Sequence, residues 1–186
     1  MKVTETKLKG CFILEPTVFT DSRGYFFESF NQQKFEELTG QSGNFVQDNQ
    51  SASSYGVVRG LHFQRGEHAQ AKLVRVLEGV VLDVSVDLRK GSDTYGQYAA
   101  VELSAENNLQ FYIPRGFAHG FAVLSETAVF AYKCDNYYNK ESEGGLRYND
   151  PSLNINWGIP DSKIALSAKD QELIFMDADQ EGAFLL

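Results

Sequence analysis

Two imidazoles, a lysine and a tyrosine carry most of the chemistry this chain could perform. Of its three histidines, His62 stands in Gly56-Val57-Val58-Arg59-Gly60-Leu61-His62-Phe63-Gln64, an apolar run interrupted by a glycine and carrying a cation in Arg59. An imidazole placed there is either a satisfied core group or a base working near neutral pH. Lys72 opens Lys72-Leu73-Val74-Arg75-Val76, and Tyr132 shares a strand face with Phe130. For Tyr132 taken alone, packing is the simpler explanation, because aromatic clusters in a β-core are usually structural. Gln47 and Asn49 lie two apart in Phe45-Val46-Gln47-Asp48-Asn49-Gln50. Period-two geometry turns them to one face, which suits either a polar ligand or a solvent-facing edge. Arg23, in Asp21-Ser22-Arg23-Gly24, has a plain turn role, and Asp170 three residues after Ser167 is explained by a capping box.

His119 lies in Pro114-Arg115-Gly116-Phe117-Ala118-His119-Gly120-Phe121. Pro-x-Gly-x-x-His resembles the second half of the cupin signature, in which Pro and Gly build the turn that returns a strand to the barrel and the histidine is often a metal ligand. The first half would read His-x-His followed closely by Glu, whereas here it reads His62-Phe63-Gln64. Too few well-spaced ligands remain, which argues against a metal site.

The elements that must position these groups are short strands. Leu82-Asp83-Val84-Ser85-Val86-Asp87 alternates apolar and polar residues as a half-buried strand does. Further β-branched and aromatic runs at Leu73–Leu77, Tyr98–Leu103, Leu109–Ile113, Gly120–Leu124 and Ala128–Lys133 are punctuated by Gly, Asn, Pro and Ser, the pattern of an antiparallel sandwich or barrel. Helix signals are few. Asn31 caps Gln32–Thr39, Phe30 and Phe35 sit in staple positions and Gly40 stops the turn. A second short helix is expected from Ser167 through Phe175.

With 186 residues, 42% of them hydrophobic, the chain suits one domain, 1–186, around one core. A formal charge of -8 argues against nucleic acid or an anionic membrane as partner, so an anionic ligand must meet a local cluster of Arg and Lys. Cys11 and Cys134 have neither metal spacing nor disulfide density, which fits reduced thiols in the cytoplasm. No stretch reaches spanning length.

Taken together, several ordered motifs closely resemble the dTDP-4-dehydrorhamnose 3,5-epimerase family: Arg59-Gly60-Leu61-His62, Ile113 to Phe121, Tyr132-Lys133 with Tyr137-Tyr138, and Asn149-Asp150-Pro151. The resemblance implies an all-β jelly-roll barrel of cupin type with a few short peripheral helices, a homodimer, and no metal or other cofactor. By position, it makes His62 the base, Asp170 its paired carboxylate, Tyr132 the acid on the opposite face of the sugar, and Lys72 a group at the reacting ketone. It makes Arg23, Glu28, Gln47, Asn49, Arg59, His119, Glu143 and Lys169 contacts to a nucleotide-diphosphate sugar, with Tyr138 stacked on the thymine. Asn139-Lys140 and Arg147-Tyr148 depart from the family pattern, at the nucleotide end.

The reaction implied is inversion at C3 and C5 of dTDP-4-dehydro-6-deoxyglucose. A hydrogen beside a ketone is removed only if the enolate is stabilised, and inversion needs a second acid on the other face. The alternatives are a 3-only or 5-only epimerase, or a cupin that binds a sugar without reaction; a metal-dependent oxygenase ranks last. Strict alternation would turn Arg59 and His62 to opposite faces, so a bulge or twist is expected at Gly60. The segment before Asp21 is the candidate for an exchanged or covering strand.

Overall fold

The structure, a computed structural model, describes residues 1–176. Strands β1 (Lys2–Glu5), β2 (Phe12–Glu15), β3 (Phe19–Asp21) and β4 (Gly24–Phe26) precede helix α1 (Gln32–Thr39). Then follow β5 (Gln47–Ser54), β6 (Val58–Gln64), β7 (Lys72–Glu78), β8 (Val80–Asp87), β9 (Tyr98–Ser104), β10 (Gln110–Ile113), β11 (Phe117–Val123), β12 (Thr127–Cys134) and β13 (Glu143–Gly145), with helix α2 (Ala168–Gln171) last. The strands form a six-stranded sheet, β1-β2-β10-β7-β12-β5, and a five-stranded sheet, β13-β6-β11-β8-β9, while β3 and β4 make a separate hairpin. Every pairing between named strands is antiparallel. The result is the expected jelly roll, built as a sandwich of two separately hydrogen-bonded sheets.

Side chains from both sheets meet in the inner core. Val74, Val76, Phe111, Ile113, Ala128 and Phe130 of the larger sheet pack against Val81, Val101, Leu103, Phe117, Phe121 and Val123 of the smaller one. The rings of Phe121 and Phe130 stack across it at 4.2 Å. Two further layers close the outer faces. Phe35 of α1 packs with Leu14, Leu73 and Tyr112 on the larger sheet, and Leu146, Leu153, Trp157 and Ile159 cover the smaller sheet at Val58, Val84, Val86 and Ala118.

That second layer corrects the expectation for β8. The alternating run is a strand, but neither face is wet. Leu82, Val84 and Val86 point outward under the cover of the C-terminal third, whereas Asp83, Ser85 and Asp87 are fully buried. Alternation reports two faces but not which one is inside.

Helix α1 forms where its local signals place it. The Asn31 side chain accepts from the Lys34 N–H at 3.1 Å, Phe30 meets Phe35 at 6.1 Å, and Gly40 takes φ 67°. Helix α2 is shorter than expected and ends at Gln171. One isolated turn is unstable, and the apolar residues beyond it are used otherwise, Ile174 pairing with Leu146. The N-terminal β1–β2 hairpin covers an edge of its own sheet by pairing β2 with β10. Both cysteines are free and buried, and burial pushes the Cys11 thiol up to about 12. Among the described residues no helix is long and apolar enough to cross a membrane.

Candidate active site

Inward-facing polar side chains at one end of the sandwich keep the sheets from closing on an apolar core. Two adjoining hollows result, of about 280 Å³ and about 270 Å³, and Asn49, His62, Lys72 and Tyr132 line both. Arg59 and His119 border the first; Gln47, Tyr138 and Glu143 border the second. His62 and His119 come from β6 and β11 of the smaller sheet, where they are directly paired. Lys72, Tyr132 and Asn49 come from β7, β12 and β5 of the larger sheet, with Tyr132 paired to Asn49. His62 and Tyr132 therefore stand on facing walls.

Arg59 and His62 reach the same hollow because β6 bulges, as expected. His62 pairs with His119 and Arg59 with Phe121, so two residues lie between them on β6 and one on β11. Gly60 adopts φ +125°, and a Cβ on it would lie 2.6 Å from the Gly120 Cα. Only glycine meets both demands. Arg59 donates from Nε to Ser53 Oγ of β5 at 3.1 Å.

His62 Nε2 lies 2.5 Å from Asp170 Oδ1. Asp170 is delivered by α2, whose N-cap is Ser167: the Asp170 N–H donates to Ser167 Oγ at 3.1 Å, and that hydroxyl donates to Asp170 Oδ2 at 2.9 Å. Burial alone would raise this carboxyl. The His62 contact, the Ser167 hydroxyl and Lys169 outweigh it and hold Asp170 below the usual carboxylate range. An ionised carboxylate only accepts, so His62 carries its proton on Nε2 and keeps the Nδ1 lone pair free to act as a base.

The Lys72 side chain makes no ion pair or hydrogen bond among the described residues; its Nζ lies 5.9 Å from the centre of the Tyr132 ring. Burial lowers the pKa of its ammonium, against opposing pulls from Cys134, Asp83 and Glu143. An ammonium without an acceptor in its own protein is suited to an oxygen of a ligand. Burial, reinforced by Cys134 and Glu143, pushes the Tyr132 phenol up, which keeps it protonated and able to donate.

A polar chain runs along the second hollow. Lys169 Nζ pairs with Glu143 Oε1 at 2.5 Å, Tyr138 donates to Glu143 Oε2 at 2.9 Å, and Gln47 accepts from the Tyr138 N–H at 3.1 Å while donating to Asn49. Burial favours the neutral form of Glu143, yet Lys169 and Tyr138 together hold it below the usual range. Tyr138 is half exposed at the rim.

Two candidate contacts stand elsewhere. Arg23 is bound to Asp21 at 2.6 Å at the tip of the β3–β4 hairpin, beside a hollow of about 540 Å³ lined only by residues of that hairpin. Glu28 is paired with Lys34 at 2.8 Å. Neither borders the hollows that hold His62. Among the described residues no three or more His, Cys, Asp or Glu side chains gather as metal ligands would; each histidine of the site faces a carboxylate instead, Asp170 or Asp83.

The sequence model of the dTDP-4-dehydrorhamnose 3,5-epimerase family matches residues 5–178. The chain belongs to this family. An epimerase of that name from Salmonella typhimurium is 56% identical over 178 residues, covering 95% of this chain and 96% of its own. The crystal structure of the epimerase from Elizabethkingia anophelis is 64% identical, with a TM-score of 0.93 over 96% of this chain and 98% of that one. The Legionella pneumophila epimerase, solved in complex with dTDP-4-keto-L-rhamnose, is 48% identical, with a TM-score of 0.92 over 96% and 94% of the two chains. A 3'-monoepimerase from Streptomyces bikiniensis, solved with dTDP-quinovose, is 31% identical over 91% and 85% of the two chains, with a TM-score of 0.85.

Sequence reasoning missed two residues that hold the side chains of this candidate site. Asp83 was hidden because its strand has the alternation of a half-exposed one, although an acid in a Val-rich run is itself a signal. Ser167 was seen only as a cap, yet its hydroxyl also holds the carboxylate that faces His62.

Proposed function

We propose that this protein inverts C3 and C5 of dTDP-4-dehydro-6-deoxyglucose to give dTDP-4-dehydro-L-rhamnose. The observation that carries the proposal is the arrangement of a carboxylate-held imidazole and a protonated phenol on facing walls, with an unpartnered ammonium beside the phenol. His62 Nδ1 takes the hydrogen next to the C4 ketone. Lys72 donates to the ketone oxygen as its charge grows. Tyr132 returns a proton from the other wall, so the centre inverts. C3 and C5 both flank C4, and once His62 has released its proton to solvent and Tyr132 has regained one, the same three groups serve the second centre. Asp170 fixes the His62 tautomer and balances the charge formed when the ring takes its proton.

Arg59, Gln47, Asn49, His119, Glu143 and Lys169 are proposed as substrate contacts, with Tyr138 as the platform for thymine at the rim. The ligand of the Legionella relative and the higher identity to 3,5-epimerases than to the 3'-monoepimerase support two inversions. NMR of the product formed from dTDP-4-keto-6-deoxyglucose tests the proposal: inversion at both carbons is expected, and inversion at C3 alone would overturn it.

The proposed working form is a cytoplasmic homodimer. The β3–β4 hairpin exposes Phe19, Tyr25 and Phe26, the last at 71%, more apolar surface than a lone hairpin keeps in water. A second copy covering it would bring Arg23 and Glu28 toward the partner's cleft, which accounts for their distance from their own. Light scattering is expected to give twice the chain mass of 20.8 kDa; a monomer at working concentration would remove this part of the proposal.

A further inference from the structure

The site holds a second carboxylate–imidazole pair, whose histidine is proposed above as a substrate contact and whose carboxylate has so far no role. His119 Nε2 lies 3.0 Å and 3.1 Å from the two oxygens of Asp83, and its Cα partner across the sheet is His62. The two pairs are cross-strand neighbours with different surroundings. The His62 side chain is 29% exposed, whereas Asp83 is fully buried and His119 nearly so. Asp83 borders neither hollow, while His119 borders the first.

Both contacts to Asp83 fall on Nε2. No buried side-chain nitrogen or oxygen among the described residues lacks a partner, and no partner of Nδ1 is present among them, so Nδ1 opens on the hollow. Burial raises the Asp83 carboxyl, while the His119 contact and Lys72 pull it down; in its ionised form it only accepts, which places the ring proton on Nε2 and leaves a lone pair on Nδ1, facing the substrate. We propose that Asp83 is a positioning residue that sets His119 as a hydrogen-bond acceptor for a hydroxyl of the sugar, while Lys72 serves the ketone oxygen. The two groups then divide the ligand by polarity: an ammonium for an acceptor, a bare imidazole nitrogen for a donor. The inference rests on the proposed epimerisation for its ligand, but its structural half stands apart from activity.

The groups facing His119 are consistent with a ring that stays neutral. They are Asp83 from β8, Lys72 from β7, His62 and Arg59 from β6 and Tyr132 from β12, with the Phe130 ring stacked on it at 6.1 Å. Burial drives the imidazole below its usual value, and Lys72 and His62 push the same way, against the pull of Asp83.

The chain has only three histidines, so nitrogen-15 labelling of histidine resolves every ring. In the unaltered protein, between about pH 5.5 and 8, across the ordinary histidine range, His119 is expected to remain the neutral Nε2–H tautomer. A ring that protonates in that range, or carries its proton on Nδ1, would overturn the proposal without a variant and whatever the enzyme's activity. In Asp83→Asn the carboxamide no longer dictates the tautomer. The Nε2–H signature should weaken, and kcat/KM should fall about tenfold or more, the loss lying mainly in KM as removal of a ground-state contact requires. An unchanged tautomer with unchanged KM in the folded variant would refute it. Failure of the unaltered enzyme to epimerise would count against the proposed function, and the nitrogen-15 spectrum would still decide whether Asp83 sets the His119 tautomer.

Discussion

Replacing Asp170 by Asn removes one charge and almost no volume from the dyad. With charge centres about 4 Å apart and an effective dielectric of about 20, an imidazolium and a carboxylate attract by about 4 kcal/mol. That attraction exists only after His62 has taken its proton, so it lowers the barrier and not the energy of the resting enzyme. At 1.36 kcal/mol per decade, kcat should fall about 10³-fold. The carboxamide makes matters worse in one rotamer: turned with its nitrogen toward Nε2, it would force the ring proton onto Nδ1, the nitrogen that must be bare. Little stability is at stake, since the Asp170 N–H to Ser167 bond survives the substitution. A change of about 1 kcal/mol would move the melting temperature by about 2–4 °C in a chain of this size. The assay is the rate of product formation by proton NMR, with a thermal melt on the same sample. A folded Asp170→Asn with kcat within about threefold of the parent would refute the charge argument.

Tyr132→Phe keeps the ring against Phe130 and should lose about 10²- to 10⁴-fold in net inversion, while solvent exchange by His62 outlasts epimerisation; equal inversion rates would return Tyr132 to a packing role. Gly60→Ala puts a methyl where φ is +125° and Gly120 is 2.6 Å away, so a loss of roughly 1–3 kcal/mol is expected in urea, with lower activity as Arg59 and His62 are re-aimed. An unchanged midpoint would contradict the bulge geometry. Asp87 binds Arg89, Ser92 and Thr94, and although burial opposes ionisation, these partners depress it from 3.8 to about 2. A depressed carboxyl stabilises fully above its unfolded pKa and loses that contribution as pH falls through the folded one. Asp87→Asn should therefore cost about 2 kcal/mol at pH 7, with the gap closing between about pH 4 and pH 2; a gap constant with pH would count against it.

What could be read from the sequence followed the range of the interactions involved. Helix α1 is specified by Phe30, Asn31, Phe35 and Gly40, all within one short segment, and it forms there. The strand runs were legible because β-branched and aromatic residues between turn residues suit a pleated surface. The resemblance supplied His62, Lys72, Tyr132 and Asp170, and their meeting across two sheets is a long-range fact that no local pattern contains. Asp83 escaped because its partner, His119, lies 36 residues away and its strand is covered by a segment from the far end of the chain. The reach of Asp170 depends likewise on α2 stopping after one turn, where Ile174 pairs with Leu146, a tertiary event that overrides the longer helix suggested by Ser167.

Enolisation beside the C4 ketone is the step on which the whole mechanism turns, and deuterium oxide reports it directly. Incubated with dTDP-4-keto-6-deoxyglucose in deuterium oxide, the protein should yield a product carrying deuterium at both C3 and C5, and His62→Ala should give neither label nor product. A product inverted at both carbons that retains its original hydrogens, or labelling undiminished in His62→Ala, would contradict it.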